Sequence, residues 1–292
     1  MEKSKVYFTK NIDGESLVKL YDKLGVSLKG KVAVKLHSGE EGNQNYMKPD
    51  FVKNIIEYVD GVVVECNTAY EGMRNTTEKH LELMEKHGWN KYFTVDILDS
   101  EHDEILINET GSVIQKNYVG SKMKNYDSML ILSHFKGHPM GGFGGALKNI
   151  SIGLASSKGK SYIHTGGIED ASFDDLMNAD HDSFLKSMAD SAKTITDFYG
   201  ENIVYINAMV NMSVDCDCCH VAEDPCMADI GILASIDPVA LDQACVDLVY
   251  NSKDVGRDTL VERIESRNGL LTIESAENQG IGTRVYELIS ID

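Results

Sequence analysis

Residues 31–66 read KVAVKLHSGEEGNQNYMKPDFVKNIIEYVDGVVVEC, and this stretch decides the fold. Two short runs rich in β-branched residues, 31–36 (KVAVKL) and 61–66 (GVVVEC), read as buried strands. Between them lie a polar loop beginning His37-Ser38-Gly39-Glu40 and a helical segment, 51–59, which Pro49 is placed to open. Strand, loop, helix and strand in that order predict an α/β protein, a mostly parallel sheet with helices on both faces. Such sheets place ligands in the crevice outside the carboxyl ends of their strands. His37, Glu40, Asn67 and Thr68 follow strand ends and become candidates for that crevice. Asn67 and Thr68 read equally well as caps of the next helix.

The same alternation extends outward. Residues 6–8 form a first strand, and 16–24 a helix with Leu17, Leu20, Tyr21 and Leu24 on one side. A helix at 77–87, stopped by Gly88, puts His80 and His87 at exposed positions. A strand at 92–98 leads to an excursion of short β elements at 101–119, which turns at Asn108-Glu109-Thr110-Gly111. Later come a strand at 126–133, a helix at 184–199 stopped by Gly200, and strands within 202–212 and 230–234. Asp237 caps a helix at 239–249 with Pro238 first, and 285–288 gives a last strand. The expected organisation is two lobes, residues 1–110 and 111–292, with a cleft at the strand C-terminal ends. The C-terminal tail is expected to return to the first lobe.

The strand at 126–133 delivers the densest chemistry, SHFKGHPMGGFGGALKNISIGLASSKGKSYIH over 133–164. Gly141, Gly142, Gly144 and Gly145 allow close approach of a ligand to the backbone, and a helix starting just after them would offer free N–H groups to an anion. His134, Lys136, His138, Lys148 and His164 crowd that turn. Imidazole suits general acid/base work or metal ligation. A lysine there serves either as a nucleophile in a dry pocket or as a contact to phosphate or carboxylate. No GxxxxGK[ST] pattern occurs, which excludes a Walker loop. Asp242, one turn into its helix, reads as an orienter of a histidine or as an acid stabilising the helix dipole.

A second cluster, Val214-Asp215-Cys216-Asp217-Cys218-Cys219-His220 with Cys226 downstream, lacks zinc-ribbon or bacterial-ferredoxin spacing. Close thiolates still supply ligands to a soft metal, with His220 or Cys226 adding another. Cys66 and Cys245, inside apolar segments, read as core.

The chain has 292 residues and a formal net charge of −18, which argues against sequence-independent nucleic-acid or anionic-membrane binding. The basic turn then becomes a local positive pocket in a negative molecule. The first residues, MEKSKVYFTKNIDGESL, hold no apolar leader, and no apolar run is long enough to span a bilayer. A cytoplasmic location is the expectation, with the six cysteines as thiols or metal ligands.

Three motifs, KLHSGEEGN (35–43), SHFKGHPMGGFGGALKNISIGLASSKGK (133–160) and DIGILASIDPVALDQACVDLV (229–249), resemble the DUF362 family. That resemblance covers nearly the whole chain and implies a metal centre of iron–sulfur type. His138, Lys148 and His164, set in GFGGALKNISIG, are also similar in order and spacing to the lactate racemase family. This second resemblance implies Lys148 as the tether of a nickel-pincer, nucleotide-derived cofactor, His164 as a nickel ligand and His138 as acid/base. The expectation is a metal-dependent enzyme that transfers a proton or hydride on a small anionic metabolite. Its catalytic residues would be His138, Lys148 and His134. Lys136, Lys148, His37, Glu40 and the four glycines would bind the cofactor. The alternative is a non-catalytic iron–sulfur or metal carrier using Cys216 and Cys218, helped by Cys219, Cys226 or His220 and serving a redox partner protein.

Overall fold

A computed structural model describes residues 3–292 of the chain. β1 (Ser4–Thr9), α1 (Gly14–Lys23), β2 (Val32–Lys35), α2 (Pro49–Tyr58), β3 (Gly61–Glu65), α3 (Thr77–Lys86) and β4 (Val95–Ile97) come first. A hairpin of β5 (Asp103–Ile107) and β6 (Lys116–Gly120) precedes β7 (Ser128–His134). β8 (Lys136–His138) and β9 (Gly142–Gly144) make a second hairpin, so part of the glycine-rich stretch is strand. Then follow α4 (Ala146–Ser151), α5 (Ser157–His164), α6 (Phe173–Met177), α7 (His181–Tyr199), β10 (Ile203–Met209) and β11 (Gly231–Ser235). α8 (Pro238–Tyr250), α9 (Arg257–Ser266), α10 (Leu270–Asn278) and β12 (Tyr286–Ser290) complete the chain.

The main sheet has eight strands in the order β12-β1-β11-β10-β7-β2-β3-β4, and every strand but β11 runs the same way. The α/β reading therefore holds. One face carries Val34, Val63, Leu130 and Ile206, packed with Leu17 and Leu20 of α1 and Ile55 and Ile56 of α2. The opposite face carries Ala33, Val64, Ile131 and Tyr205, packed with Ile150 of α4, Ala189 of α7 and Leu241 of α8. Leu130 is fully buried at the centre, so Leu130→Ala would cost about 2–5 kcal/mol.

The sheet draws strands from both sides of residue 110. That position falls in the β5–β6 loop, and β12 returns to pair with β1. His80, expected at an exposed position, is fully buried with Leu83 and Met84, because it belongs to the inner stripe of α3. Thr76 rather than Asn67 or Thr68 caps that helix. No helix among the described residues is long and apolar enough to cross a membrane.

The strand order fixes where a ligand can enter. β2 leads through α2 to β3 on one side, whereas β7 lies on the other side of β2 and neighbours β10. Pairing of β2 with β7 runs only as far as Lys35 against Ile131. Beyond it the chains diverge, and a crevice opens at this switch of direction. The Asn149 amide bridges the gap, donating to the carbonyls of Lys35 and Leu132 (both 3.3 Å) and to Ser133 Oγ (3.0 Å).

Candidate functional site

A cavity of about 210 Å³ occupies this crevice. Lys35, His37, Glu65, Thr68, His134, Lys136, His138, Gly144, Gly145, Lys148, Lys160, His164, Cys216 and Cys218 line it, together with Tyr70 and Arg74. The structure thus gathers His37, the histidines and lysines of the glycine-rich stretch, and two cysteines around one hollow. Glu40 lies just behind, bound to Arg74 Nε at 3.1 Å. Gly141 and Gly142 are outside the lining, because the hairpin turns them toward His138 and Gly269 respectively.

The expected free helix N-terminus is absent, and Asp242 is the reason. Its carboxylate accepts from Ala146 N (2.8 Å), Leu147 N (2.9 Å) and Asn207 Nδ2 (2.7 Å), closing the start of α4 from beneath. A Cβ on Gly145 would stand 2.4 Å from Asp242 Oδ1, so glycine is needed there for the carboxylate and not for an external anion. Burial pushes the Asp242 carboxyl up to about 6 despite the three donors.

His134 and Lys136 are tied into architecture. His134 Nδ1 meets the Asp217 carboxylate at 2.8 Å and Nε2 meets the Val210 carbonyl at 2.5 Å, so both ring nitrogens are engaged within the protein. The ring that the sequence placed among the catalytic residues is thus held at both nitrogens by groups of the protein itself. Lys136 Nζ meets Asp217 Oδ2 at 2.8 Å and the His134 carbonyl at 2.9 Å. Burial opposes the Asp217 charge, but the two cations beside it hold the carboxyl well below its usual range.

A second network lines the opposite side. Glu65 accepts from Ser38 N (2.6 Å) and faces Lys35 Nζ (3.5 Å) and Arg74 Nη1 (3.8 Å). Arg74 also donates to Tyr70 Oη at 2.8 Å. Burial brings the Lys35 ammonium down to about 8, with Glu65 resisting. Burial and Arg74 hold His37 well below its ordinary range, and its Nδ1 accepts from Gly39 N. Reading the sequence for motifs missed Lys35, Glu65, Arg74, Lys160 and Asp217. A signal was present for the first two, since each is the charged residue near the end of an otherwise apolar buried run.

The remaining groups are unsaturated. Lys148 has no hydrogen-bond or ion-pair partner among the described residues, and Lys160 Nζ reaches only the Ala155 carbonyl. His164 donates Nδ1–H to the Lys160 carbonyl (2.6 Å) and stacks on Phe184, which leaves the Nε2 lone pair open. His138 has the reverse arrangement. Its Nδ1 accepts from Met140 N (3.1 Å) and Gly141 N (2.8 Å), so Nε2 carries the hydrogen. Burial first, and Lys148 next for His138, push both imidazoles down to about 4. Both are neutral near pH 7, in opposite tautomers.

The cysteines reach the cavity because their loop lies on the β8–β9 hairpin. Gly137 N donates to the Ser213 carbonyl (2.8 Å), and a Cβ on Gly137 would stand 2.3 Å from the Val214 carbonyl oxygen. Asn43 Nδ2 donates to the Cys216 and Cys219 carbonyls and holds the loop from the other side. Ligand atoms of His138, Cys216 and Cys218 lie within 4.8 Å of one another, with His138 Nε2 3.7 Å from Cys218 Sγ. The Cys218 thiol, followed by Lys148 and Lys136, holds Cys216 well below the ordinary thiol range, as a thiolate. Cys219, His220 and Cys226 stand outside this group, and Cys226 Sγ turns to the Met212 carbonyl. Cys66 and Cys245 are buried in the core.

A metal-bound imidazole ordinarily donates its second nitrogen's hydrogen to an acceptor. His164 has that arrangement. His138 does not, because its second nitrogen faces two donors.

Comparison with known proteins follows this geometry. Among solved structures, the lactate racemase apoprotein from Thermoanaerobacterium thermosaccharolyticum is similar at 18% identity and a TM-score of 0.42, covering 70% of this chain and 50% of its own. A structural-genomics protein from Thermotoga maritima is similar at 11% identity and a TM-score of 0.44, covering 91% of this chain and 58% of its own. The chain thus spans half the length of the first and 58% of the second. No curated protein matches. The model of the family described as domain of unknown function DUF362 matches residues 32–247, from β2 into α8 and across every element that lines the cavity, and the chain belongs to that family.

Proposed function

We propose that the crevice between β2 and β7 is the active site of an enzyme that moves a proton at a carbon atom of a small anionic metabolite. The observation that carries this reading is the pairing of two neutral histidines in opposite tautomers on one cavity. His164 offers a lone pair and serves as the base, while His138 is the acid partner in the hydrogen-bonding sense, its Nε2–H polarising a substrate oxygen without being given up. Burial keeps both neutral at physiological pH, so neither must first lose or gain a proton. Lys148, with no carboxylate partner, faces the same space and holds the substrate's negative charge, including charge that develops as the proton leaves.

The nickel-pincer group implied by the lactate racemase resemblance meets fitting chemistry in Lys148, an amine with no competing partner, and in the open Nε2 of His164. Bound there, it would supply a hydride acceptor at the substrate carbon. The metal-carrier alternative rests on the convergence of Cys216, Cys218 and His138. It is the weaker reading, because His138 Nδ1 already accepts two backbone N–H groups and Nε2 then has no lone pair to give.

Two measurements test the reading. In deuterium oxide the protein should wash deuterium into the carbon next to the carboxylate of a 2-hydroxy, 2-amino or 2-oxo acid, and His164→Gln should abolish this. Undiminished exchange in His164→Gln overturns the assignment of the base. Metal content and intact mass of anaerobically purified protein address the cofactor. Nickel with an adduct at Lys148 supports the tether, whereas acid-labile sulfide with an unmodified Lys148 supports the carrier.

A further inference from the structure

Charge bookkeeping around the cavity narrows the substrate class, and this step rests on the active-site reading above. Lys35 and Arg74 are balanced by Glu65 and Glu40. His134 and Lys136 share Asp217, and the Cys216 sulfur stands near both Lys148 and Lys136. Lys148 and Lys160 are the two cavity lysines with no carboxylate to balance them. Neither has an ion-pair partner within 4 Å among the described residues. Asp99, the carboxylate behind Lys160, accepts from Asn67 N (2.9 Å) and Ser157 N (3.0 Å) and does not line the cavity.

An uncompensated ammonium inside protein is costly, and two near one hollow are costlier, because they also repel each other. Burial already pushes Lys160 downward, a penalty that a bound anion would relieve. Both lysines act on His164, whose ring donates Nδ1–H to the Lys160 backbone carbonyl. Lys148, Lys160 and His164 line one cavity, so an anion on the lysines shares that space with the open Nε2. We propose that the natural ligand is a dianion, with one charged group on Lys148 and the other negative charge on Lys160. A dicarboxylate and a phosphate monoester share this chemistry. A cavity of about 210 Å³ limits either to a small skeleton.

Binding to the full-length protein, measured by calorimetry at pH 7.5 and constant ionic strength, tests the proposal with malonate, inorganic phosphate and acetate as probes. Malonate or phosphate should bind at least tenfold more tightly than acetate, and the tighter of the two identifies the source of the charge. Lys148→Met and Lys160→Met should each weaken that binding about tenfold. Lys158→Met, an exposed lysine paired with Glu169 and Asp170, should leave it unchanged. Circular dichroism verifies that each variant is folded. Acetate binding as tightly as the dianions overturns the proposal, as does dianion binding that survives both cavity substitutions. Absence of any dianion binding at millimolar concentration also overturns it. Failure here is separable from failure of the proton-transfer reading: deuterium exchange on a monocarboxylate would sink the dianion alone, and dianion binding with no exchange on any dianionic acid would sink the chemistry alone.

Discussion

On the wall built by β7 and the cysteine loop, His134 directs both ring nitrogens to acceptors, and Lys136 closes on the same carboxylate, Asp217. On the wall built by α4 and α5, Lys148 has no partner and His164 keeps one nitrogen open. The histidine and lysine on each wall come from the same 133–164 stretch and are the same residue types. What separates them is whether the protein itself supplies the complementary group. A saturated buried pair fixes geometry, and removing one partner is expensive. An unsaturated pair is held in place at some cost in stability and becomes useful only when something else completes it. Residue type therefore says where the chemistry is concentrated, and hydrogen-bond saturation says which members perform it.

Substitutions on the two walls should separate activity from stability. The largest effect expected is on the open wall, where Lys148→Met or His164→Gln should lower deuterium exchange by about 10²–10⁴-fold while lowering unfolding free energy by no more than about 1 kcal/mol, with Lys148→Met neutral or stabilising because it removes an ammonium that no carboxylate balances. Denaturant titration beside the exchange assay checks both numbers. A loss of activity matched by a loss of stability would erase the distinction between the walls. On the closed wall the pattern should invert. Asp217→Asn strips compensation from two buried cations and should cost about 3–5 kcal/mol in the same titration.

A pH series sharpens the comparison. Native His138 titrates at about 4, and the unfolded chain's histidines near 6.5, so the unfolded state takes up protons first as the pH falls. The stability linked to His138 is present in full above about pH 6.5 and is lost as the pH falls through about 4, a total of about 3 kcal/mol. His138→Gln should therefore lose about 3 kcal/mol less than the parent protein between about pH 7 and about pH 4, measured by urea unfolding at each pH. Equal losses would mean that His138 is already charged in the native state. The smallest effect belongs to Asp242, which lies under the glycine-rich turn and outside both walls. Asp242→Asn keeps the shape and loses an acceptor for the start of α4, so unfolding free energy should drop by about 1–3 kcal/mol.

Much of the architecture was legible from local pattern. The runs 31–36 and 61–66 became β2 and β3, Pro49 opens α2, and Asp237 with Pro238 starts α8 as its spacing indicates. Those signals depend on short-range sterics and burial, which a few adjacent residues determine. The convergence of His138, Lys148 and His164 on one hollow was likewise expected from their order around the glycines. The partners were not legible, because they arrive from far along the chain. Asp242 caps α4 from about 95 residues away and Asp217 meets His134 across 83. Lys35 and Glu65 were visible as charges in apolar runs, yet only strand order places them beside the glycine-rich turn. His80 shows the same limit at smaller scale, since its helix face is decided by what α3 packs against.

The central claim concerns protons, and nitrogen-15 NMR of the histidine side chains at pH 7 reads it without a substrate. The expected result is hydrogen on Nδ1 alone at His164 and on Nε2 alone at His138. The same neutral tautomer at His138 and His164, or a charged ring at either, would contradict the assignment of base and acid.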